Sequence, residues 1–177
     1  MIELVITPKH KAADTAKSFG ATHVISISSP GDTLPEFGTI HPDNLIKKYF
    51  FDICFEPASD IDKIRYFAPP SREIVNDLLR FGTTLNHDSK LLSHCWAGIS
   101  RSSASAIIAM IPLIGYEEAV AKVATLRVPQ SGIIGREDCF EAGRDWFLPN
   151  VLLIKYADQF LGLNGQLESL VADSFKY

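Results

Sequence analysis

Cysteine is scarce in this chain and does not come in pairs. Cys54, Cys95 and Cys139 are the 3 cysteines among 177 residues. An odd set without metal-ligand spacing offers neither a disulfide framework nor a zinc site. His10, His23, His41 and His87 show no ligand spacing either, so no metal and no cofactor is expected. Positive charge is also short: Lys and Arg number 17 against 21 Asp and Glu, a net charge of −4. Broad binding to nucleic acid or to an anionic membrane needs a basic face, and the balance argues against both. The opening Met1-Ile2-Glu3-Leu4 lacks a basic stretch followed by a long apolar one. Neither a signal peptide nor a membrane span is expected, which points to a reducing cytoplasm. Repeats, low-complexity tracts and linkers are missing too. With 46% hydrophobic residues, the length suits one domain over 1–177 with a substantial core.

What is present alternates between strand and helix signals. Residues 2–6 read as a buried strand. Thr7 then offers a capping oxygen, Pro8 suits a first helical position, and Gly20 can close the helix near Phe19. A second strand over 23–27 ends at the turn-forming Ser29-Pro30-Gly31-Asp32, and a third is expected at Tyr49-Phe50-Phe51. Ser71 caps a helix whose Ile74, Val75, Leu78 and Leu79 share one face, reaching towards Leu85. Residues 90–94 form a central strand and 102–110 a buried helix that Pro112 kinks or ends. Further helices are expected from Glu117 to Leu126, near 137–147, and at 151–161. This order predicts an α/β fold, a mainly parallel central sheet flanked by helices. Ligands of such sheets bind beyond the carboxyl ends of strands, where Cys95 falls.

Between the central strand and its following helix runs His94-Cys95-Trp96-Ala97-Gly98-Ile99-Ser100-Arg101-Ser102. Five residues separating a cysteine from an arginine let backbone N–H groups curl around one tetrahedral anion. The helix beginning near Arg101 turns its unpaired N–H groups and positive dipole end to the same point. The same field favours the thiolate of Cys95 and makes it a nucleophile. Arg101 can grip two phosphoryl oxygens with its planar fork, which a lysine cannot do. Gly98 suits a loop that approaches a ligand closely or takes positive φ. Ser102 is placed to donate a hydrogen bond to the Cys95 sulfur and help it leave. The residues contacting phosphate would be Trp96, Ala97, Gly98, Ile99, Ser100 and Arg101, with phosphate, sulfate or vanadate as site ligands.

These residues resemble the His-Cys-x5-Arg-Ser/Thr signature of the cysteine-dependent protein tyrosine phosphatases. The Gly98 position and the small size look most like the dual-specificity branch. HCWAGISRSSASA (94–106), FFDICFEP (50–57) and LPNVLLIKYADQFLG (148–162) are similar to a group of compact bacterial dual-specificity-like phosphatases. The resemblance implies a phosphatase-like fold. It also implies hydrolysis of a phosphorylated protein or peptide through a phosphocysteine intermediate, without a metal. It implies that His94 orients the loop and assists thiolate formation, and that Asn150 braces the loop. As a plain sequence feature, Asn150 is equally well the N-cap of the helix starting at Val151.

A phenolate leaving group needs a proton donor, worth about 10²–10⁴-fold in rate. Asp52, which follows the apolar run at 49–51, is the first choice. Asp60 and Asp62 lie closer in sequence to Cys95 and stay open as alternatives. The resemblance supports Asp52, because the bacterial group has an Asp-Ile pair followed by a proline, as in Asp52-Ile53 and Pro57. Cys54 reads as a packing residue, and Asp158 as an interhelical or solvated one. Two other readings share the anion-binding loop. One is a phosphoinositide or small-molecule phosphatase, which the lack of lysine between Cys95 and Arg101 disfavours. The other is a noncatalytic phosphopeptide-binding module.

Overall fold

The computed structural model describes residues 1–38, 40–56, 68–126 and 147–175. Among these residues four strands form one sheet: β1 (Glu3–Pro8), β2 (His23–Ser28), β3 (Leu45–Tyr49) and β4 (Lys90–Cys95). Their order across the sheet is β1-β4-β2-β3, and every pairing is parallel. β4 is therefore central, and Cys95 closes it at the carboxyl end. Parallel neighbours need crossovers, which carry helices on both faces. On one face α1 (Ala12–Phe19) covers a small cluster of Ala12, Ala16, Val24, Phe37 and Leu92. The opposite face carries the main core, where Ile25, Ile27 and Leu91 meet α2 (Arg72–Gly82) and α3 (Arg101–Ile114). Each of those three side chains is fully buried, and such burial stabilises by about 1.5–3 kcal/mol apiece. Outside α3 lie α4 (Tyr116–Ala124), α5 (Val151–Leu161) and α6 (Gln166–Phe175).

Two expected boundaries are corrected. Thr7 and Pro8 do not start a helix; they extend β1, paired with His94 and Cys95, and a 3-10 turn over Lys9–Lys11 precedes α1. Proline is tolerated there because β1 is an edge strand and Pro8 is its last residue. The third strand is not Tyr49-Phe50-Phe51 but Leu45–Tyr49, whose Lys47 and Lys48 suit an exposed sheet edge. Phe50 lies just beyond it, fully buried, its N–H donating to the Ser28 carbonyl at 3.0 Å. Of the two effects expected of Pro112, kinking or ending the helix, the second does not occur, since α3 runs on to Ile114.

Ser71 caps α2 through Ile74 N–H at 3.3 Å, and α5 spans Val151–Leu161. The helix expected near 137–147 lies outside the described residues except for Phe147. Helices α2 and α3 cross so closely that a β-carbon at Gly82 would run into the Ala109 carbonyl. Asp158, buried in α5, accepts from the N–H groups of Gly165 at 2.7 Å and Leu167 at 2.8 Å. Its carboxylate thus docks the start of α6. Among the described residues no helix is long and apolar enough to cross a membrane.

Candidate functional site

The loop between β4 and α3 wraps around the Cys95 sulfur. Cys95 is buried, Gly98 N–H donates to its Sγ at 3.3 Å, and Ser102 Oγ stands 3.3 Å from the same atom. The loop is pressed onto the end of β1. Gly98 has φ +74°, and a β-carbon there would lie 2.5 Å from the Thr7 carbonyl carbon and 2.6 Å from Pro8 N. Lys9 N–H donates to the Trp96 carbonyl at 3.3 Å and fixes the other side of the loop. Below it, Ser93 Oγ donates to the Ser102 carbonyl at 2.8 Å, joining the first turn of α3 to β4. Ser103 Oγ, buried beneath the turn, donates to the carbonyls of Ile99 and Ser100. Of the interior residues, Gly98 and Ile99 are buried, Ala97 and Ser100 half-buried, and Trp96 exposed.

Arg101 opens α3 and is almost wholly buried. Its Nη1 donates to the Phe50 carbonyl at 2.7 Å and to Ser29 Oγ at 3.3 Å, and its guanidinium lies 6.0 Å from the Phe50 ring centre. Among the described residues its Nε is buried with no hydrogen-bond partner, Asp52 Oδ2 standing 3.9 Å away. Two separate segments therefore orient this one cation: the residue after β2 and the stretch from Phe50 to Asp52 after β3.

Asp52 is brought to the loop. Its Oδ1 accepts from Ser100 Oγ at 2.7 Å and from Asn150 Nδ2 at 2.8 Å. Asn150 also donates to the Ile53 carbonyl at 3.0 Å, while its Oδ1 caps α5 by accepting from Leu153 N–H at 3.0 Å. Its backbone N–H reaches the Ser100 carbonyl at 3.2 Å. Both readings of Asn150, as cap and as brace, thus describe contacts it makes. The alternatives Asp60 and Asp62 lie outside the described residues, as do Pro57 and Cys139. Cys54 is exposed rather than packed, with Sγ 3.6 Å from Asn150 Nδ2. Partial burial of its sulfur and the charge of Asp52 push its thiol up, against a smaller opposite pull from the Val151 backbone.

His94 points to the α1 face of the sheet. It is fully buried, its Nε2 lies 2.7 Å from Ser26 Oγ, and its ring sits 5.7 Å from that of Phe37. Burial lowers its pKa to about 4; the Cys95 backbone opposes this, and the charges of Lys9 and Arg101 add to it. The imidazole is neutral near pH 7 and brings no positive charge to the thiol.

Sequence reasoning missed the supports that come from far along the chain. Lys9 Nζ donates to Ser28 Oγ at 3.3 Å and pairs with Asp32 at 3.5 Å, bridging the ends of β1 and β2 across β4. Ser28 Oγ in turn donates to Asp32 at 2.9 Å. These contacts hold the carboxylate of Asp32 below its usual range, the Ser28 bond first and the Lys9 charge after it. The turn signal at Ser29–Asp32 was visible; its use as a support for Arg101 was not.

No protein-family model and no curated protein matches the chain. Among solved structures it is similar to the human tyrosine phosphatase-like serine/threonine/tyrosine-interacting protein. That likeness has 20% identity over 91% of this chain and 92% of the other, with a TM-score of 0.48.

Proposed function

We propose that this protein is a cysteine-dependent phosphomonoester hydrolase acting on phosphorylated protein or peptide, in the manner of the protein tyrosine and dual-specificity phosphatases. The observation that carries the reading is the pairing, across five residues, of a sulfur ringed by Gly98 N–H and Ser102 Oγ with a buried Arg101 whose Nε, among the described residues, lacks an acceptor. A buried N–H left unpaired costs about 1–3 kcal/mol, more when charged, and a phosphoryl oxygen would supply the missing partner. Ser100 adds to this. It stands at the N-cap of α3 in a helical rather than an extended conformation and makes no capping bond, its hydroxyl turned to donate to Asp52. The first N–H groups of α3 thus receive no side-chain cap from Ser100, and an anion can take that place.

In the first step Cys95 Sγ attacks phosphorus, the bond from phosphorus to the ester oxygen breaks, and Asp52 gives its proton to that oxygen. Arg101 and the loop amides hold the three equatorial oxygens, supplying the charge that another enzyme takes from a metal. In the second step water attacks phosphorus and Asp52 accepts its proton. The S–P bond then breaks, with Ser102 Oγ–H donating to the departing thiolate. His94, neutral and bonded to Ser26, serves by holding the end of β4 in place.

Turnover of para-nitrophenyl phosphate in the presence of a chelator tests the reading. Wild type should hydrolyse it, vanadate should inhibit, and Cys95→Ser should abolish turnover while keeping the fold. Undiminished hydrolysis by Cys95→Ser would refute the mechanism. Binding of a phosphopeptide by a wild type that turns over no ester would favour the noncatalytic module.

A further inference from the structure

Asn150 is one residue with two ends, and the structure uses both. Its Oδ1 accepts from Leu153 N–H at 3.0 Å, a backbone group that can only donate. That bond settles which end of the amide is oxygen, and so turns Nδ2 towards the loop containing Asp52. There Nδ2 meets Asp52 Oδ1 at 2.8 Å and the Ile53 carbonyl at 3.0 Å. Ser100 Oγ donates to the same Oδ1 at 2.7 Å, whereas among the described residues Oδ2 has only the Arg101 Nε, at 3.9 Å. A second tie from the same helix holds this segment, Lys155 Nζ lying 3.3 Å from Glu56 Oε1.

Resting on the phosphatase reading, we propose that Asn150 is the positioning residue of the proton donor: with Ser100 it engages Asp52 Oδ1 and leaves Oδ2 to carry the transferred proton. A carboxyl that donates must keep one oxygen free for its proton, and two N–H or O–H donors on Oδ1 assign that task to Oδ2. The N-cap of α5 thereby sets the direction of the acid, while the Asn150 N–H bond to the Ser100 carbonyl ties the same cap to the loop holding the nucleophile. Misplacing a reacting group by about 1 Å can cost about 10²-fold, so the contact bears on rate rather than on substrate affinity.

Asn150→Ser and Asn150→Asp separate the two uses. Serine and aspartate are both good N-caps and keep α5, but neither carries the amide donor. Wild type and both variants are assayed on phenyl phosphate, whose leaving group needs a proton, and on 2,4-dinitrophenyl phosphate, whose leaving group does not; thermal melting confirms folding. The ratio of kcat for phenyl phosphate to kcat for the dinitrophenyl ester should fall at least about tenfold in both variants, with KM little changed. An unchanged ratio, or an equal loss on both esters, in a variant that still melts cooperatively would overturn the assignment. A wild type inert towards both esters would instead remove the phosphatase reading, and the role of Asn150 with it.

Discussion

Acidification should destabilise this protein through His94 by an amount that can be worked out from its burial. The folded imidazole titrates at about 4, against 6.5 for the free side chain. The unfolded chain therefore takes up this proton first as pH falls. The stability that His94 contributes as a neutral group is whole above pH 7, declines as pH drops through 6.5, and is spent below 4. A difference of that size corresponds to about 3 kcal/mol in full and about 2 kcal/mol at pH 5. Against a total of about 5–15 kcal/mol for an ordinary domain, this is a large share. Urea unfolding of wild type and His94→Gln at pH 7.5 and 5.0 isolates the effect, since carboxylates and His23 titrate in both proteins. Glutamine keeps an amide able to meet Ser26 and cannot take a proton. Between the two pH values wild type should lose about 2 kcal/mol more than the variant. Parallel losses would show that the imidazole is charged, or solvated, in the folded protein, and the account of a neutral His94 behind the loop would fall.

Further substitutions probe the loop and its supports. Arg101→Lys should lower kcat/KM on aryl phosphates by about 10²-fold or more, because a point charge replaces a fork that also spans to Phe50 and Ser29; near-normal turnover would deny Arg101 its grip on phosphate. Asp52→Asn should slow phosphotyrosine hydrolysis strongly and an activated aryl ester far less, whereas the same pattern at Asp60 or Asp62 alone would move the proton donor there. Gly98→Ala should destabilise by about 2–4 kcal/mol, combining left-handed strain with overpacking against Thr7 and Pro8. Gly162→Ala, at φ +66° with open space around it, should cost only the strain, about 1–2 kcal/mol, and equal effects in chemical denaturation would contradict the close approach at Gly98.

The alternation of strands and helices and the central place of β4 were legible because apolar runs, capping residues and glycines all lie within a few positions of what they control. Errors arose where a tertiary pairing outweighs a local signal. Tyr49-Phe50-Phe51 has the apolar look of a strand, yet the ladder with β2 runs over Leu45–Tyr49, and Phe50 is buried just beyond it. Two lysines hid the true strand, since an edge tolerates charge that a central strand does not. Thr7-Pro8 has the chemistry of a helix start, but pairing with His94 and Cys95 keeps both in extended form. No local rule weighs a partner that lies far along the chain.

The same divide runs through the site. The residues from Cys95 to Ser102 are contiguous, and their spacing alone suggests a loop that can close on an anion. What orients that loop and its acid arrives from elsewhere: the Phe50 carbonyl and Ser29 for Arg101, Lys9 for the end of the sheet, Asn150 for Asp52. A backbone carbonyl acting as an acceptor leaves no trace in residue identity, and a lysine bridging two strand ends looks like any solvated lysine. Asn150 marks the limit of a different kind. Read along the chain, capping and bracing look like alternatives, because each is a complete use for a polar side chain. An amide carries an acceptor and a donor on one carbon, so occupying the first with Leu153 N–H does not release the second but aims it. Any asparagine at a helix start beside a carboxylate can serve in this double way, and only the position of the carboxylate, 98 residues earlier in this chain, decides whether it does.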